Sequence, residues 1–99
     1  MVKQKIVWSN KAKIKLLEIF EFYSERNKSK TYSKKLYFKF NKELSILLKQ
    51  PEIGVKTELD TVRGLIVGEF ILFYEVTTEM IIVYTLWDNR RNPEDLKIK

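Results

Sequence analysis

Apolar and polar positions fall into two periods along the chain. Over residues 10–25 the apolar residues Ala12, Leu16, Ile19, Phe20 and Tyr23 return at helical spacing. Ser9 stands just before them and can cap that helix, its hydroxyl accepting from the amide of Lys11 or Ala12. A second helix is predicted over residues 30–50, with Ser33, Leu36, Tyr37, Phe40, Leu44, Leu47 and Leu48 as its inward stripe. Pro51 stops it, because the residue before a proline is biased out of the helical region. Only the polar stretch 26–29 separates the two helices, so they should fold back on each other as an antiparallel hairpin.

The other period is two. Residues 62–91 hold the densest apolar, β-branched and aromatic run in the chain, broken by Gly64, Gly68 and a polar Thr77-Thr78-Glu79. Strands are predicted over residues 56–65, 69–76 and 80–87, with 77–79 as a hairpin turn. In the middle strand Phe70, Leu72, Tyr74 and Val76 share one face; Glu69, Ile71, Phe73 and Glu75 share the other, which is only partly polar. One face therefore carries the core, while the second is half covered or kept for a partner. Residues 3–8 read as a first strand that closes one side of this meander. Asn92-Pro93-Glu94-Asp95 has the order of a helix start, with room for one turn. The order β-α-α-β-β-β predicts an α+β fold, a helical hairpin packed on one face of a small, mostly antiparallel sheet. Residues 1–99 are expected to form a single domain.

Composition narrows the chemistry. The chain has no cysteine and no histidine. Disulfides, thiolate metal sites and cysteine nucleophiles are excluded, and the commonest general base is missing. No metal and no cofactor is expected. Nineteen basic against thirteen acidic residues give a net charge of +6, which suits a partner rich in carboxylates or phosphates as well as it suits a plain basic domain. Lys11, Lys13 and Lys15 crowd the start of the first helix, where each opposes the helix dipole by a few tenths of a kcal/mol. Lys35, Lys39, Lys42 and Lys49 stripe the second helix, which is ordinarily the wet side of a hairpin. No apolar run approaches the roughly 18–20 residues that span a bilayer, and the first residues lack the apolar core of a signal peptide. A cytoplasmic location is expected, with no membrane partner.

One resemblance draws these pieces together. A strand and a helical hairpin ended by proline precede Arg63, Gly68, Phe70, Leu72, Phe73, Tyr74 and Val76, and an apolar strand then closes on Arg90 and Arg91. That order and spacing resembles the RelE/ParE toxin superfamily over the whole chain, nearer its ParE-like branch. The resemblance implies the toxin of a bacterial type II toxin–antitoxin pair, of the plasmid-stabilising kind, silenced by a small acidic antitoxin in a hetero-oligomer. RelE-like members cleave messenger RNA on the ribosome without a metal; ParE-like members inhibit DNA gyrase and are not enzymes in that sense. The RelE-like pattern has a basic residue where Ile71 stands, and a tyrosine where Leu96 stands. Both differences remove polar chemistry that a ribonuclease needs, which favours gyrase as the expected target.

The candidate residues follow from these alternatives. For a ribonuclease, Lys56, Arg63, Arg90 and Arg91 are the catalytic candidates, cations that hold a phosphate as charge builds on it. For target or antitoxin binding the candidates are Arg63, Trp87, Arg90, Arg91 and Leu96. Arg63, just before Gly64 in a strand otherwise rich in apolar residues, is placed to hold phosphate or carboxylate bidentately. Trp87 reads equally as a core closer or as an exposed anchor. Tyr74 reads as a core tyrosine with its hydroxyl at the edge. A third function, a non-toxic basic module binding protein or nucleic acid, rests on the interleaved Tyr32, Lys34, Lys35, Tyr37 and Lys39.

Overall fold

The computed structural model describes residues 4–89. Strand β1 (Lys5–Trp8) leads into helix α1 (Asn10–Asn27) and helix α2 (Thr31–Ile46), followed by β2 (Val55–Lys56), β3 (Val62–Val67), β4 (Phe70–Val76) and β5 (Met80–Asp88). The sheet order is β1-β5-β4-β3-β2. β1 lies parallel to β5, and every other neighbouring pair is antiparallel. The fold is α+β, two helices packed with an open, mostly antiparallel sheet.

Local chemistry explains the helix ends. Ser9 Oγ accepts from the Ala12 amide at 3.0 Å and donates to the Tyr84 carbonyl at 2.8 Å, so one hydroxyl caps α1 and ties it to β5. At the other end Lys28 takes a left-handed conformation (φ 50°), with Lys28 N–H donating to the Glu25 carbonyl and Ser29 N–H to that of Ser24. This is a Schellman stop made without glycine. Ser24 and Ser33 hydroxyls meet at 3.1 Å across the hairpin, and Ser33 also donates to the Phe20 carbonyl, so a polar side chain sits buried in the helix stripe without being orphaned. α2 closes at Ile46 rather than at residue 50. The amides of Leu47, Leu48 and Lys49 bond three residues back instead of four, tightening the chain ahead of Pro51.

The core lies between the hairpin and one sheet face. Ala12, Leu16 and Tyr23 from α1 and Leu36, Phe40 and Leu44 from α2 meet Leu65, Val67, Phe70, Leu72, Tyr74, Ile81, Val83 and Leu86. Tyr37 and Leu48, expected in the inward stripe, are exposed instead. The sheet face turned away from the helices, which no other described element covers and which is called the bare face below, carries a smaller cluster of Val62, Phe73 and Trp87, flanked by Leu59, Ile71 and Tyr84.

Two features depart from the expected strands. Residues 56–65, predicted as one strand, form two, β2 and β3, so the order gains a strand. Thr57 makes the break: its hydroxyl donates to the Val62 carbonyl at 2.8 Å and accepts from the Leu59 amide at 3.1 Å, folding the polar segment 57–61 back on itself. The second is a β-bulge. Phe73 pairs with Thr85 but Tyr74 with Val83, leaving Tyr84 as the extra residue of β5. Ile81 and Val83 face the helices before it; after it the inward residue is Leu86, and Trp87 turns to the bare face.

Candidate functional site

β2 is short, and it sets Lys56 directly across from Arg63, which in turn sits across from Tyr74. Alternation puts Arg63 on the same face as Leu65 and Val67, the helix side, at the β2 edge of the sheet. Its Nη1 donates to the Gly54 carbonyl at 3.0 Å and to the Glu52 carbonyl at 3.3 Å. The loop between α2 and β2 is thereby stapled to β3.

Tyr74 holds the same loop from beneath. Fully buried, it donates from Oη to the Pro51 carbonyl at 2.8 Å and accepts from the Gly54 amide at 2.9 Å. Gly54 is required there: an added Cβ would stand 2.5 Å from Tyr74 Oη. Burial raises the Tyr74 hydroxyl above its ordinary pKa of 10.0; donation by the Gly54 amide and the nearby Arg63 charge oppose that rise, while Glu52 adds to it. The hydroxyl stays protonated and both its hydrogen-bonding roles are filled.

Of the residues expected to act, Lys56 and Arg63 come together. Lys56 is exposed; Arg63 is half-buried with part of its fork on backbone carbonyls. Trp87 is only 7% exposed and packs with Val62 and Phe73 on the opposite face, so it closes a cluster rather than offering a free ring. Arg90, Arg91 and Leu96 lie outside the described residues. Sequence reasoning missed Pro51, Glu52 and Gly54, whose contribution is through backbone groups; the Pro-Glu-Ile-Gly turn was the available signal.

Two concave surfaces lie away from this edge. A cleft of about 260 Å³ runs between α1 and the end of β5, with Lys15, Arg26 and Phe22 on one wall and Trp87 and Asp88 on the other. A more apolar groove of about 630 Å³ lies along the outside of the helical hairpin, lined by Leu17, Phe20, Tyr37 and Phe38 with Glu21 and Lys34 beside them. Among the described residues no cluster of three or more metal-ligating His, Cys, Asp or Glu side chains occurs.

The family model for the ParE toxin of type II toxin–antitoxin systems, parDE, matches residues 6–93. The chain belongs to the ParE toxin family. A solved chain of the chromosomal ParDE toxin–antitoxin system from P. aeruginosa is similar in fold, with a TM-score of 0.75 at 18% sequence identity. The match covers 87% of this chain and 96% of that one. No curated protein matches. Family membership makes the chain a toxin of a type II pair, and such a pair implies an antitoxin partner.

Proposed function

We propose that this ParE-family toxin inhibits growth by acting on DNA gyrase in the cytoplasm, and that a small acidic antitoxin neutralises it. The observation that carries the reading is the state of Tyr74. Cleavage of RNA through a ribose 2′-hydroxyl needs a group to take that proton. The tyrosine across from Arg63 is buried, its pKa is raised, and its hydroxyl is committed to Pro51 and Gly54. Ile71 packs beside the apolar cluster of the bare face, where a basic residue would serve a ribonuclease. What remains at this point of the β2 edge is the Lys56 and Arg63 pair, with Glu52 beside it, and two such cations fit binding an acidic group better than transferring protons. Among the described residues no helix is long and apolar enough to cross a membrane.

The Lys56–Arg63 pair gives the second reading its one support, since two neighbouring cations can clamp a phosphate on messenger RNA. Induced expression separates the two. Gyrase action predicts trapped gyrase–DNA breaks and loss of supercoiling with messages intact; cleaved messages at ribosomes with unchanged supercoiling would refute it. Arg63→Ala is expected to abolish growth inhibition. Arg63→Lys, which keeps the charge but not the fork, is expected to restore part of it if charge is what the target reads.

A further inference from the structure

The outer groove of the hairpin is an apolar surface that the core does not use. Leu17 is 59% exposed and Phe38 70% exposed, with Ile14 and Tyr37 also exposed nearby. Side chains of this size left in water on one face mark a contact surface. Its two walls differ in charge. Glu21 stands on the α1 wall; Lys30 and Lys34 stand on the α2 wall. Glu21 and Lys34 stand within about 3 Å of each other in height along the groove, at about 1.5 Å of rise per residue. Both are bracketed by the same two cross-hairpin contacts, the Phe20–Tyr37 ring pair and the Ser24–Ser33 hydroxyl pair.

We propose that this groove is occupied by a second copy of the chain, related by a two-fold axis parallel to the helices. Such an axis keeps height unchanged and exchanges left for right, so each α1 wall lies over the other copy's α2 wall. Glu21 then meets the second copy's Lys34, and the symmetry makes that pair twice. Phe38 faces the second copy's Leu17, burying the most exposed aromatic of the hairpin. An isologous contact of this kind needs a self-complementary patch, and the opposite charges of the two walls, close in height, supply it. The net charge of +6 on each copy opposes association, but that repulsion is spread over the surface and screened within about 8 Å at physiological ionic strength.

Sedimentation velocity on the purified chain alone, across the micromolar range, tests this. A concentration-dependent dimer is expected. Leu17→Asp and Phe38→Asp, both at exposed sites, should give monomers with unchanged circular dichroism. Glu21→Lys should weaken dimerisation roughly three- to tenfold, since it loses two exposed pairs at once. Adding Lys34→Glu to Glu21→Lys should recover the wild-type constant, an outcome that a general loss of folding cannot produce. Three results would overturn the proposal: a wild-type monomer throughout, a dimer indifferent to Phe38→Asp, or no recovery in the double reversal. A monomeric chain whose groove instead takes an acidic amphipathic peptide would assign the surface to a different partner.

Discussion

Tyr74→Phe removes a single oxygen from the centre of the β2-edge latch, and the structure says what that oxygen holds. The Gly54 amide loses its acceptor in a buried setting, and an unsatisfied buried N–H costs about 1–3 kcal/mol. The Pro51 carbonyl loses a donor at a partly exposed position, where water can substitute, so about 0.5–1 kcal/mol is lost there. Phenylalanine no longer buries a hydroxyl, which offsets part of the sum. A net loss of about 2–3 kcal/mol follows, or about 10–20 °C in melting temperature for a domain of this size. Urea unfolding followed by tryptophan fluorescence measures it, and amide exchange at Gly54 should quicken in step. A second reading comes from pH. The folded chain holds the Tyr74 proton more tightly than the unfolded chain does, so above pH 10 the unfolded chain ionises first and is favoured. The stabilisation is complete below pH 10 and declines as pH rises through the folded value. The variant lacks this group, so the gap between it and the wild type should narrow above pH 10. A loss below about 0.5 kcal/mol, or a gap that widens with pH, would show that the hydroxyl does not hold the loop.

Two further perturbations test other parts of the fold. Lys28→Gly should stabilise the protein by about 0.5–1 kcal/mol, because glycine takes the left-handed conformation without the Cβ clash that lysine bears; thermal melts would show it, and destabilisation would mean the turn is made differently. Leu44→Ala, at a position with no exposure in the middle of the core, should cost about 2–5 kcal/mol through the cavity it leaves, read from the denaturant midpoint at constant slope.

What the residues announced in advance was whatever rests on side-chain period and local capping. Ala12, Leu16, Ile19, Phe20 and Tyr23 mark α1 because a 3.6-residue repeat puts them on one face, and all of them pack into or against the core. Ser9 caps α1 as its position predicts, through Ala12. Phe70, Leu72 and Tyr74 lie inward on β4, as alternation requires, and Thr77 closes the hairpin on Met80. Backbone partners were not legible. Nothing in the letters around Arg63 says that its guanidinium meets the carbonyls of Glu52 and Gly54, because every residue carries a carbonyl. Nor does Thr57 reveal that its hydroxyl will fold residues 57–61 and divide one expected strand into two. Phe38 and Leu17 were visible as apolar residues off the inward stripes, and that mismatch is the signal of an outer surface.

The bulge at Tyr84 decides how the candidate site must be read. Unbroken alternation along β5 would put residues 81, 83, 85 and 87 on one face, placing Trp87 on the helix side with Arg63. The extra residue reverses that parity beyond Val83, so Leu86 enters the main core and Trp87 joins Val62 and Phe73 behind the sheet. A single backbone irregularity thus sets the two candidate binding residues on opposite surfaces. A flat partner cannot read both. Either a partner wraps the sheet edge, as an extended chain can, or Arg63 and Trp87 serve different ends, the one presenting charge and the other holding the bare face together. Trp87's burial favours the second, since a ring packed among Phe73 and Val62 has little surface left to give. The edge that carries Lys56 and Arg63 is then a surface in its own right, and its geometry depends on Tyr74 keeping the loop of Pro51 to Gly54 in place.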